Sequence, residues 1–181
     1  MARENREAAI KFLLEDEGKE LRQDRAKATV YGVNASQLSY YRSVGVSIDD
    51  LLALRPEAAA DYHRLQWERH ELDKFPSGLD YFMLDCGVCC GYDVASRWLT
   101  ENISQRINIG DYERLADITY YWLPERVAVA VEAMSFARRR RHKTEPGWLT
   151  YGAARTNRVN RAVRRSLQMT KSVELNVARA S

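Results

Sequence analysis

The residues with the most chemical potential stand near the start of the chain. Glu15, Asp16 and Glu17 close an apolar run made of Ala8, Ala9, Ile10, Phe12, Leu13 and Leu14, and Gly18 follows them. A carboxyl group at the end of a helix, against an apolar wall and beside other acids, is open to a raised pKa, because desolvation and like charge both disfavour its ionised form. Such a group can serve as a general acid at neutral pH. Three acids in a row also suit a solvated helix end, so composition alone leaves both readings open. Asp24 and Thr29 come next along a mostly polar stretch, with Tyr31-Gly32 behind them.

Other reactive types are sparse. Cys86, Cys89 and Cys90 are the three cysteines. Helical spacing puts Cys86 beside the other two, but with no second cysteine pair a metal centre is not expected, and the thiols read as small buried groups. His63 and His70 belong to another helix and are not spaced as ligands. Trp67 and Trp98 read as core, and Tyr31 as a candidate to line a cleft. The Arg138–Arg141 run with Tyr120-Tyr121 nearby could meet nucleic acid. Against that, Trp148, Val159, Val163 and Leu167 give the next helix an apolar stripe that must pack on the body, so nucleic acid is disfavoured as a partner.

The elements that must position these groups are helical. Gly18 ends a first helix. Residues 19–33 form an irregular excursion, in which 30–33 is the one strand-like piece. Asn34 with Gln37, and Ser47 with Asp50, have the spacing of capping boxes for short helices at 35–43 and 48–54. Pro56 suits the first turn of a helix reaching His70. Ser77 with Asp80 opens an apolar segment read as one central buried helix through Trp98. Gly87 and Gly91 inside it each cost about 1 kcal/mol relative to alanine, so close packing is expected there. Asp111 and Pro124 start two more helices, residues 143–147 form a turn, and a last helix covers about 148–168. No alternating strand series, glycine-rich phosphate loop or internal repeat is visible. The expectation is an all-α fold with a region at 1–104 and a helical, basic region at 105–181 packed on it.

Composition agrees. The chain has 181 residues, 45% of them apolar and 29% charged, enough for a real core. Three clustered cysteines cannot build a disulfide framework, which points to a reducing compartment of synthesis. No membrane span and no secretory signal are visible. The net charge is +3, but residues 138–181 carry +10 and the first 137 carry −7. A basic quarter on an acidic body suggests a polyanionic partner: nucleic acid, lipid headgroups or wall polymer.

The order of Glu17, Asp24 and Thr29 after a first helix resembles the active site of phage-type lysozymes. More closely, residues 10–34 resemble the opening of the glycoside hydrolase family 108 muramidases, with Glu17-Gly18 at the catalytic Glu-Gly and Asp24, Ala28, Thr29, Tyr31, Gly32 and Val33 in order behind it. Leu51 to Leu54, Pro56-Glu57-Ala58, Tyr62 and Trp67 continue the likeness. Phe75-Pro76-Ser77-Gly78-Leu79-Asp80, then Asp85, Val88, Gly91, Ala95 and Leu99, are similar to the family's central helix. Arg138 to Arg141, Gly147-Trp148-Leu149 and Arg155 resemble the tail of its peptidoglycan-binding module. The chain departs from the pattern at Lys19, at Arg25-Ala26-Lys27 and at Cys89, and lacks two residues between Glu17 and Asp24.

The resemblance implies a lysozyme-like fold and hydrolysis of the β-1,4 bond between N-acetylmuramic acid and N-acetylglucosamine, without metal or cofactor. Glu17 would be the general acid, Asp24 the base or electrostatic partner, and Thr29 would position water. Tyr31, Asp85 and Arg155 would contact substrate. The partner would be bacterial peptidoglycan, with other virion proteins if the enzyme travels in the particle. The basic tail would lie exposed and hold the wall. The chain would be made in the host cytoplasm and act at the wall or periplasm, released through a holin or carried in the virion. A catalytically degenerate structural or wall-binding protein on the same fold is the rival expectation.

Overall fold

A computed structural model describes residues 2–20, 22–24, 27–103 and 107–180, with side chains over 5–20, 28–103 and 107–171. Helix α1 spans Ala2–Glu17, and a small antiparallel sheet follows in the order β1 (Arg22–Asp24), β2 (Lys27–Val30), β3 (Val33–Asn34). Then come α2 (Ala35–Arg42), α3 (Ile48–Leu52), α4 (Pro56–Arg69), a 3-10 turn at Leu72–Lys74, α5 (Leu79–Cys90) and α6 (Tyr92–Thr100). Helices α7 (Tyr112–Thr119), α8 (Pro124–Lys143) and α9 (Trp148–Ala180) complete an all-α, lysozyme-like architecture. No helix of the described residues is long and apolar enough to cross a membrane.

Local signals set most boundaries. Asn34 and Gln37 form a reciprocal capping box at α2, and Ser47 and Asp50 form another at α3. Each satisfies amide groups that a bare helix start would leave unpaired. Asp111 caps α7, and prolines occupy the first turns of α4 and α8. At Ser77 the expected box does not form. The Ser77 hydroxyl donates to the Met169 carbonyl on α9, while Asp80 accepts from the amides of Gly78 and Tyr81.

Tertiary packing decided three further points. The excursion after α1 is a three-stranded sheet rather than one strand-like piece. The central apolar segment is two helices, because Gly91 takes φ +98° and turns the chain between α5 and α6. That turn brings the Tyr92 ring flat against Gly87, where a methyl group would collide with it. Third, α9 runs well past residue 168. Its apolar face, with Val159, Ala162, Val163 and Met169, shares one core with Leu13 of α1, Leu84 of α5, Leu99 of α6 and Met134 of α8. Residues of both expected regions thus bury one another. A second cluster of Val30, Val33, Leu38, Leu51, Leu54, Ala59 and Tyr62 fixes the sheet on α2, α3 and α4.

Candidate active site

The site is built where α1 ends. Gly18 takes φ +69°, its amide donates to the Leu14 carbonyl at 2.9 Å, and its own carbonyl accepts from the Tyr31 amide at 3.0 Å. That bond docks the β2–β3 hairpin on the helix terminus. The hairpin turns in two residues, Tyr31 (φ +52°) and Gly32 (φ +77°), the positive-φ pair that a tight turn with the twist of the strands requires. His63 Nε2 lies 2.8 Å from the Tyr31 carbonyl and pins the turn from α4. Gly32 is indispensable for a second reason. A methyl group on it would stand 2.9 Å from Glu17 Cγ and 2.7 Å from Val88 Cγ1. The turn lies directly on the Glu17 side chain, which keeps only 5% of its surface exposed.

Glu17 does not stand alone. Its Oε1 is 2.5 Å from Arg158 Nη2 on α9, and the same nitrogen is 3.0 Å from Asp85 Oδ1 on α5. The other oxygen of Asp85 accepts from Arg138 on α8. A chain of alternating charge, Glu17–Arg158–Asp85–Arg138, therefore joins α1, α9, α5 and α8 through the middle of the protein. Burial alone would push the Asp85 carboxyl up, but Arg138 and then Arg158 outweigh it and hold the group below the usual carboxylate range. Geometrically, Asp85 orients Arg158, and Arg158 orients Glu17.

This corrects two expectations. Asp85 has no exposed surface, so it cannot touch a saccharide; it holds the arginine that holds Glu17. The basic tail is not an outward-facing surface as a whole. Arg138 and Arg158 are consumed by the chain of charge. Arg161 binds Asp16 at 2.7 Å, and Arg165 binds Asp16 at 2.8 Å and Glu15 at 2.9 Å. Arg165 also stacks over the Phe12 ring. The acidic end of α1 and the basic stripe of α9 are complementary halves of one interface. Arg140, Lys143, Arg164 and Lys171 remain exposed.

The other expected site residues divide. Thr29 is half-buried in β2, with Arg22 and Asn34 as its neighbours across the strands. Tyr31 forms the turn over Glu17 and keeps its ring half-exposed. Asp24 pairs with Lys27 through the backbone, and its side chain lies outside the described residues. Arg155 lies 3.4 Å from Glu145 and donates to the Pro146 carbonyl at the turn before α9. Trp67 and Trp98 are core, as expected. Sequence reasoning missed Arg158 as a site residue. The signal was present: Arg155, Arg158, Arg161 and Arg165 recur at helical spacing, with Glu15, Asp16 and Glu17 available to meet them. It also missed His142, which α8 carries to the α5 cysteines.

The sequence pattern of the family described as Glycosyl hydrolase 108 matches residues 10–91, which run from the second half of α1 through the sheet to the end of α5. Over those residues the chain resembles that family. The fold is shared with a solved structure titled "Structure of Brucella abortus SagA", at a TM-score of 0.77 and 23% identity, covering 93% of this chain and 97% of that one. Nothing among curated proteins matches.

Proposed function

We propose that the protein is a peptidoglycan hydrolase of the lysozyme type, cleaving the β-1,4 bond from N-acetylmuramic acid to N-acetylglucosamine with Glu17 as general acid. The observation that carries this reading is the placement of Glu17. It is an almost covered carboxyl at the end of the first helix, gripped by a glycine turn and held in one orientation by Arg158 and Asp85. Solvated acidic helix ends have no such construction, and orienting a proton donor is what general acid catalysis requires. Asp24 and Thr29 would serve the water on the opposite face of the sugar, and Tyr31 and Arg155 would bind it. The exposed Arg140, Lys143, Arg164 and Lys171 are the part of the basic region left to attract an anionic wall. Release through a holin or carriage in a virion fits a wall-acting enzyme of this kind.

Turbidity loss of purified peptidoglycan, with Glu17→Gln beside wild type, tests the assignment. The variant should lose about 10²- to 10⁴-fold of the rate while keeping its helical content. Equal activity in a folded variant would sink the role of Glu17. Equal inactivity of both proteins would favour the rival reading, a degenerate wall-binding or structural protein on this fold.

A further inference from the structure

Beside Arg138, which also binds Asp85, three potential metal ligands converge that the proposed hydrolysis does not use. Cys89 and Cys90 end α5, and His142 lies on the last turn of α8. The two Sγ atoms and a ring nitrogen of His142 all lie within 4.8 Å of one another. Cys90 and His142 are buried and Cys89 is partly buried. We propose that Cys89, Cys90 and His142 form a binding site for one Zn²⁺ ion, which would fasten α8 to the end of α5.

The distances allow it. An ion at the centre of a triangle with 4.8 Å sides would sit about 2.8 Å from each ligand atom. Zinc takes about 2.3 Å to sulfur and about 2.0–2.1 Å to imidazole nitrogen. Each ligand therefore needs to close by well under 1 Å, which side-chain rotation supplies. The second layer is also in place. His142 Nδ1 is 3.0 Å from Glu145 Oε2, and Glu145 is itself mostly covered. A carboxylate on one ring nitrogen fixes the ring and directs the lone pair of the other toward the metal. Nε2 now faces Arg138 Nε at a long 3.4 Å, a weak contact that an ion would replace.

Charge supports the same conclusion. Metal binding needs thiolates. Arg138 and Arg158 do not leave the region cationic, because Asp85 and Glu17 balance them. Two neutral thiols that lose their protons to bind one dication leave the buried net charge unchanged. Arg138 Nη2 and Arg158 Nε are buried without a hydrogen-bond partner, and new thiolates would give them charge to face. Cys86 is different: its thiol is pushed up to about 12 by burial, contacts Arg138 at 3.8 Å, and serves as the internal control.

The test uses the full-length protein purified under reducing conditions, stripped with chelator and titrated with Zn²⁺ against a chromogenic chelator. One equivalent should bind. Cys89→Ser, Cys90→Ser and His142→Gln should each weaken binding at least about 10-fold, Glu145→Gln about 10- to 100-fold, and Cys86→Ser should leave it unchanged. Because a buried variant can fail to fold, Co²⁺ is added to wild type as a second measurement. It should give the sulfur-to-cobalt charge-transfer band of a thiolate-ligated ion. Absence of stoichiometric zinc, a cobalt spectrum without sulfur, or full binding in folded Cys89→Ser and Cys90→Ser proteins would each overturn the proposal. None of these outcomes depends on whether the protein cleaves peptidoglycan.

Discussion

Removing Asp85 should unfold much more than its own surroundings. Asp85 and Arg138 have no exposed side-chain surface, and Asp85 also holds Arg158 at 3.0 Å. In Asp85→Ala, Arg138 keeps only a long contact to His142 and a sulfur contact to Cys86, while Arg158 retains Glu17. Leaving one charge of a buried pair uncompensated costs about 3–5 kcal/mol. For a chain of this size each kcal/mol moves the midpoint by about 2–4 °C, so Tm should fall by roughly 6–20 °C. Urea unfolding followed by helical circular dichroism measures the loss directly. The comparison is Arg64→Ala, which removes exposed contacts to Glu7 and Asp61 and should cost under about 1 kcal/mol. The double variant Asp85→Leu with Arg138→Met should be less destabilised than Asp85→Ala, because apolar replacement removes both stranded charges. An Asp85→Ala loss no larger than that of Arg64→Ala would refute the claim that buried charge pairing holds α5, α8 and α9 in place.

Two more outcomes follow from the packing and the titration. Gly78→Ala should destabilise by about 2–4 kcal/mol, because the residue sits at φ +90° and its methyl group would run into the Ser166 backbone and the Thr170 hydroxyl of α9; urea midpoints check it, and a neutral substitution would mean α9 can lift from α5 freely. Burial pushes the His63 imidazole down to about 4, with the Tyr31 carbonyl opposing, and His70 is likewise lowered by burial. The unfolded chain therefore binds more protons than the native one between pH 6.5 and 4, so these histidines stabilise above that window and the contribution is lost as pH falls through it. Burial raises Asp80 to about 7 against its hydrogen bonds, so its contribution runs the other way and is lost as pH rises from about 4 to 7. The stability difference between wild type and His63→Gln should accordingly shift by up to about 1.4 kcal/mol per pH unit in favour of the variant on acidification; a pH-independent difference would mean that His63 protonates in the native fold.

Much of the architecture could be read from the sequence because local chemistry specifies it. Asn34 with Gln37 and Ser47 with Asp50 satisfy helix-start amides within four residues, and Pro56 and Pro124 suit first turns whatever surrounds them. Gly18 ends α1 where only a residue tolerant of positive φ closes the helix cheaply. Glu17 stands out as a candidate because acidity, helix end and apolar wall are adjacent along the chain. The limits appear wherever the deciding partner is distant. Gly91 breaks the central segment because Tyr92 must fold back on Gly87, a contact that propensity does not contain. Whether Asp85 would meet substrate or an arginine depended on where α8 and α9 cross α5. The same crossing turned the basic stripe inward onto Glu15, Asp16 and Glu17, and carried His142 to Cys89 and Cys90, far away along the chain. Sequence spacing fixes which side chains share a face, since a helix repeats every 3.6 residues. Which face then meets which is chosen by burying one continuous core across α1, α5, α6, α8 and α9, and that choice exists only in the folded chain.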